Sequence, residues 1–239
     1  MAIILETRGL SKRFRGLQAN KNIDFRLEEG AVRCVIGPTG AGKTTFISMI
    51  SGHLAPSDGA VLFRGRDVTR LSVVKRARLG IGRKFQTPSV FGGLTTFENI
   101  ELAVLATDCP RRERIGRIAS VLSEVRLEAE VDTQVDHLSH GQRQWLEIGL
   151  LLAVDARLLL LDEPTAGMTG EETQATADLV NRLSREHGLS TIIIEHDINF
   201  MRELGAPVTV LHLGQVLREG SYAEIAADTE VRDIYLGYQ

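Results

Sequence analysis

The chain has 239 residues, 43% of them hydrophobic and 25% charged, with a formal net charge of −3. That length suits one well-cored domain, or a core with a subsidiary lobe. The mildly acidic balance argues against a nucleic-acid coat, which needs an excess of Lys and Arg to neutralise phosphates.

Three short apolar stretches open the chain: Ile3–Thr7, Ile23–Leu27 and Val32–Ile36. Each is bounded by Gly, Asn or charge, which predicts strands. Directly after the third comes Gly37-Pro38-Thr39-Gly40-Ala41-Gly42-Lys43-Thr44, a fit to G-x-x-x-x-G-K-[ST] at every fixed position. In Thr44–Leu54, Phe46, Ile47, Met49, Ile50 and Leu54 recur at helical spacing. The motif therefore sits between a predicted strand and a predicted helix, the context a phosphate loop requires. Its glycines let backbone N–H groups turn towards phosphate oxygens, and the helix start adds the positive end of its dipole. Lys43 is the candidate for the β- and γ-phosphates, and the Thr44 hydroxyl for Mg²⁺. With Thr45, the loop completes the candidate nucleotide-binding set. The competing reading, a Gly-rich turn with an exposed lysine, is disfavoured by the flanking elements. Val61–Arg64 and Gly65 predict a small hairpin.

From about Asn99 to Leu152 the pattern is helical and rich in Arg and Glu, which predicts a separate lobe. Leu158–Leu161 and Thr191–Ile194 are continuous apolar runs, suited to parallel strands buried on both faces. The helical stretch Glu171–His187 between them makes a βαβ crossover. The first run ends in Asp162, and strand ends are where open α/β sheets bind ligands. Asp162 is thus a candidate metal carboxylate, and Glu163 a candidate to orient an attacking water. A cap for the turn before Pro164 is the blander reading of both. Val208–Leu213 and Val216–Glu219, joined through Gly214-Gln215, predict a hairpin, and a helix is expected from Tyr222. Two distant cysteines, Cys34 and Cys109, point to reduced thiols, with Cys34 a buried small hydrophobe. No apolar stretch approaches the roughly 18 residues of a membrane span, and Met1 to Arg8 lacks the shape of a secretory leader. Work at a membrane is expected to depend on docking.

Further motifs carry a family resemblance. Leu138-Ser139-His140-Gly141-Gln142 resembles the L-S-G-G-Q signature of ATP-binding-cassette proteins. Gln86 stands where that family has its Q-loop, Ala166-Gly167-Met168-Thr169 where it has its D-loop, and His196 where it has its switch histidine. The resemblance covers essentially the whole chain. It implies an α/β fold: a P-loop NTPase (RecA-like) core with an antiparallel β subdomain and an inserted α-helical subdomain. Residues 1–86 and 153–239 would form the core, and 87–152 the signature-bearing helical part. It also implies ATP and Mg²⁺. Lys43, Gln86, Glu163 and His196 would be catalytic, with Thr44, Gln86 and Asp162 at the metal. Phe14 would stack on adenine; an apolar side chain near a strand end is its other reading. Ser139, Gly141 and Gln142 would serve ATP held by a partner cassette. Two positions depart from the pattern: His140 replaces a glycine, and Thr169 stands where many relatives carry Asp.

The resemblance narrows in places. Gly82–Phe91, Leu94-Thr95, Phe97-Glu98-Asn99 and Leu138–Gly149 look like bacterial urea-uptake ATPases, and Tyr235-Leu236-Gly237 like the end of branched-chain amino-acid importer ATPases. This implies the energy-coupling subunit of an importer, for urea or alternatively branched-chain amino acids. Such a subunit is peripheral, on the cytoplasmic face of the inner membrane. Its partners would be a second, different cassette, integral membrane permease subunits and, indirectly, an extracytoplasmic solute-binding protein. An exporter or lipid-extraction ATPase shares the same core. A soluble ATPase of DNA repair or translation usually carries a coiled-coil insertion or two cassettes, which 239 residues do not accommodate. Val90 and Phe91 are candidate anchors for the membrane partner, or else core residues.

Overall fold

The computed structural model describes residues 2–85 and 89–236, so Gln86 of the expected Q-loop and Gly237 of the Tyr235-Leu236-Gly237 end lie outside the described residues. In chain order, β1 (Ile3–Phe14), β2 (Leu17–Glu28) and β3 (Val32–Ile36) lead into α1 (Lys43–Ser51). Then come β4 (Asp58–Phe63), β5 (Arg66–Asp67), α2 (Val73–Leu79) and β6 (Ile81–Lys84). Helices α3 (Thr96–Leu105), α4 (Arg114–Glu124) and α5 (His140–Ala153) follow. The chain closes with β7 (Leu158–Asp162), α6 (Gly170–His187), β8 (Ser190–Ile194), α7 (Ile198–Leu204), β9 (Val208–His212), β10 (Gln215–Gly220), α8 (Tyr222–Ala227) and α9 (Thr229–Leu236).

Two sheets result. One has four strands in the order β2-β1-β4-β5, and the other six in the order β10-β9-β3-β8-β7-β6. In the second, β6, β7, β8, β3 and β9 run parallel, with β10 antiparallel at the edge. The continuous apolar runs are explained by burial on both faces. Leu158, Leu160, Ile192 and Ile194 enter the core shared with α1 and the four-stranded sheet. Leu159, Leu161 and Ile193 enter the opposite core, shared with α6, α7 and residues of α3, α4 and α5. β1 and β2 run well beyond their apolar centres, with register irregularities along their pairing. The expected strand spans fall within them.

One buried cation organises the region below the phosphate loop. The Arg76 guanidinium, 1% exposed, donates to the carbonyls of Met49 and Ile50 (both 2.6 Å), Thr69 (2.8 Å) and Leu71 (3.1 Å). Met49 and Ile50 belong to the last turn of α1, where the helix dipole favours a positive charge and the carbonyls lack helical partners.

Candidate active site

β3 ends at Ile36 and delivers the phosphate loop, and α1 starts at Lys43 behind it. Gly42 sits at φ +99° with β2 packed against it, and a Cβ there would stand 2.5 Å from the Ala19 carbonyl oxygen. Only glycine allows that approach. Asn20 of β2 donates its side-chain amide to the Gly42 carbonyl at 3.2 Å. Thr39, Gly40 and Thr44 are exposed, while Pro38 and Thr45 are half-buried and Gly37 and Ala41 buried. Lys43 is buried, and its ammonium donates to the carbonyls of Gly37 (2.6 Å) and Pro38 (3.1 Å). Burial lowers its pKa, against the opposing charges of Glu163 and Asp162. Phe14, 43% exposed, stands at the β1–β2 turn with the Lys12 ammonium 5.2 Å from its ring centre.

The carboxylates come from the end of β7, two strands from β3 with β8 between. Asp162 is 2% exposed. Its Oδ2 lies 3.5 Å from Arg83 of β6, and Arg83 also donates to the Ser48 hydroxyl of α1 at 2.8 Å. Burial pushes the Asp162 carboxyl above its usual range, with Arg83 pulling the other way. Oδ1 of Asp162 is buried without a hydrogen-bond partner among the described residues.

Glu163 adopts φ +49°, a left-handed conformation that is costly for a non-glycine residue. The Glu163 amide donates to the Ile194 carbonyl at the end of β8 (2.9 Å). That turn brings its carboxylate to 3.5 Å from Nε2 of His196. Glu195, 4% exposed, holds the two segments together. It accepts from the Thr165 amide (3.0 Å) and hydroxyl, and from the His196 amide (2.8 Å).

The signature residues form a second cluster, at the start of α5. Ser139 caps that helix, its hydroxyl accepting from the Gln142 amide (3.1 Å), while the Gln142 side chain returns to the Ser139 amide (2.8 Å). The Gln142 side chain also donates to Glu130 at 3.1 Å, so it is engaged within its own chain. Nε2 of His140, the residue in place of glycine, donates to the Ala166 carbonyl of the expected D-loop at 2.7 Å. Thr169 caps α6 in a box with Glu172.

The expectation for Val90 and Phe91 divides. Phe91 is 61% exposed, whereas Val90 packs against the core and is no free anchor.

Arg83, Glu195 and Glu172 are not read out by sequence reasoning. The one local signal is charge next to apolar strand residues, in Ile81–Lys84 and after Ile194.

Residues 20–166 match the family described as ABC transporter. The chain belongs to the ABC transporter ATPase family. Members hydrolyse ATP to power transport, so this ABC ATPase is an enzyme. It is 36% identical over 240 aligned positions to the "Lipopolysaccharide export system ATP-binding protein LptB" of Acidithiobacillus ferridurans, covering 100% of this chain and 99% of the relative. It is 32% identical over 248 positions to the "Probable branched-chain amino acid transport ATP-binding protein LivG" of Archaeoglobus fulgidus, covering 99% and 96%. The ADP conformation of MJ1267, an ATP-binding cassette of an ABC transporter, superposes with a TM-score of 0.89 at 26% identity, over 99% of this chain and 100% of that one. No helix among the described residues is long and apolar enough to cross a membrane.

Proposed function

We propose that this ABC ATPase is the energy-coupling subunit of an importer for a small polar solute, a branched-chain amino acid or urea. The observation that carries the ATPase chemistry is geometric: Glu163 and His196 lie 3.5 Å apart, and the buried Lys43 holds its ammonium on the Gly37 and Pro38 carbonyls of the phosphate loop. Import is supported by the branched-chain amino-acid relatives. The urea reading rests on the motifs around Gln86 and Ser139.

In the catalytic cycle, Lys43 exchanges the Gly37 and Pro38 carbonyls for β- and γ-phosphate oxygens. Loop N–H groups and the start of α1 share that load. Glu163 orients a water whose oxygen attacks the γ-phosphorus, and the bond to the β-phosphate oxygen breaks to release ADP. The water's proton passes to Glu163, and His196 donates a hydrogen bond to the γ-phosphate. The residues fit Mg²⁺: Asp162 Oδ1 is a buried carboxylate oxygen with an unused lone pair, and the Thr44 hydroxyl is exposed on the loop. Mg²⁺ held there would offset charge on the β- and γ-phosphates. Gln86 is proposed as a third group.

The related cassette MJ0796 is dimeric. A second cassette here, a different chain in the transporter, would bring its own signature to this ATP and receive Ser139 and Gly141 at its own. Phe91 would meet integral permease subunits from the cytoplasmic face, with the solute-binding protein acting across the membrane. The similarity to a lipopolysaccharide export ATPase favours a second reading, lipid extraction.

The test is reconstitution with the co-purified permease in lipid nanodiscs. Hydrolysis should rise severalfold with solute-loaded binding protein, and the responding solute, leucine or urea, names the substrate. Stimulation by lipopolysaccharide instead would replace import with extraction.

A further inference from the structure

Glu172, in the first turn of α6, has both carboxylate oxygens engaged, and they serve two different helices. Oε2 accepts from the Thr169 amide (3.0 Å) and the Thr169 hydroxyl (3.2 Å), the cap of its own helix. Oε1 accepts from the Ser139 hydroxyl at 3.2 Å, the cap residue of α5. A Cβ placed on Gly141 would meet the same Oε1 at 2.5 Å, so this oxygen rests directly on the signature backbone. The Thr169 amide, and then the Ser139 and Thr169 hydroxyls and the Gly141 amide, hold the Glu172 carboxyl below its usual range. The first turn of α5 contains no acidic residue of its own. Glu172 therefore supplies the negative charge that this helix start favours.

We propose that Glu172 is a built-in stand-in for phosphate, its Oε1 holding Ser139 and Gly141 until the γ-phosphate on a partner cassette displaces it. The proposal rests on the reading of Ser139 and Gly141 given above. A serine hydroxyl has one proton, so it cannot donate fully to a carboxylate and a phosphate together. Two anions so close also repel. Exchange costs only the Oε1 contacts, because Oε2 stays on Thr169. The His140–Ala166 bond is untouched by the exchange, so the D-loop remains attached to the signature as the occupant changes. In the single chain the donors stay satisfied and oriented, and pairing requires enough ATP to outcompete a tethered carboxylate.

The experiment is sedimentation velocity over a range of MgATP concentrations in the Glu163→Gln background, which is expected to trap the ATP-bound pair. Adding Glu172→Gln removes the charge but keeps the size, and should lower the ATP concentration for half-dimerisation about three- to tenfold, the worth of one hydrogen bond. Glu172→Asp keeps the charge but is one methylene too short to reach Ser139, and should shift in the same direction. Gln closes a capping box as Gln142 does at α5, so the Thr169 cap survives in the Gln variant and carries the test if the shorter Asp unfolds, which melting would reveal. An unchanged or raised midpoint overturns the proposal. So does a shift in Gln with wild-type behaviour in Asp, which would mean simple charge repulsion. Failure of Glu163→Gln to pair with itself at any ATP concentration overturns the stand-in for identical chains, and is distinct from pairing with a different cassette, which the co-purified transporter tests.

Discussion

The starts of α1 and α5 differ in what satisfies them. α1 opens at Gly42 with no side-chain cap, and Lys43 bends back onto carbonyls of its own loop. α5 opens at Ser139 with a full capping box, a carboxylate from α6 on its first donors, and His140 tied to the D-loop. Both are suited to anions, since helix starts present unpaired N–H groups and a partial positive charge. The contrast matches where each start is proposed to meet its phosphate. A helix start that binds ligand within its own chain can keep its donors open and hold a lysine in reserve. On the pairing proposed above, one that meets phosphate only in an assembled pair is filled by side chains meanwhile.

Three substitutions test the two helix starts separately. The largest effect is expected from Glu163→Gln, which touches neither helix start. Turnover should fall by about 10²–10⁴ while ATP still binds, because shape is kept and the charge that orients water is lost. Phosphate-release kinetics beside equilibrium nucleotide binding check it, and near-wild-type turnover would move the base elsewhere. Next is Lys43→Ala, which attacks the open start. Nucleotide affinity of the single chain should drop about 10–100-fold, from loss of charge-assisted bonds worth roughly 1.5–3 kcal/mol. A fluorescent ATP analogue measures it, and unchanged affinity would remove the loop from the site. Ser139→Ala attacks the filled start, with the smallest effect on the isolated chain. Nucleotide affinity there should be unchanged, and melting should fall by only a few degrees, since a helix cap is worth about 1 kcal/mol. The loss should appear in hydrolysis by the pair. If Ser139→Ala weakened binding to the single chain, the two starts would not be separate.

Much of the architecture was readable from local pattern. The phosphate loop lies between a strand and a helix as expected, and the three apolar runs at Val32, Leu158 and Thr191 are adjacent parallel strands. The hairpins near Val61 and Val208 and the tail helices also form where expected. β6 and α2 were not readable. Gly82-Arg83-Lys84 is too polar to resemble a buried strand, and Lys75, Arg76 and Arg78 mask the short helix. The reason is that these cations find carbonyl or carboxylate partners on segments distant in sequence. Arg76 reaches the end of α1, Arg83 reaches Asp162, and the Lys84 ammonium lies 3.5 Å from Glu147 of α5.

The same division runs through the site. Local patterns specify the chemical groups at hand: a glycine-rich turn with lysine, an Asp-Glu pair ending an apolar strand, and a serine and glycine opening a helix. These patterns are local, because backbone freedom and side-chain periodicity are properties of neighbouring residues. Which of them meet depends on strand order and helix packing. Strand order placed the end of β7 within electrostatic reach of Lys43, with β8 between β3 and β7. The left-handed turn at Glu163 aimed its carboxylate at His196. Packing of α6 beside α5 put Glu172 on Ser139, 33 positions away. Such contacts depend on how buried surfaces and buried charges are matched across the whole chain, and no window of sequence contains both partners.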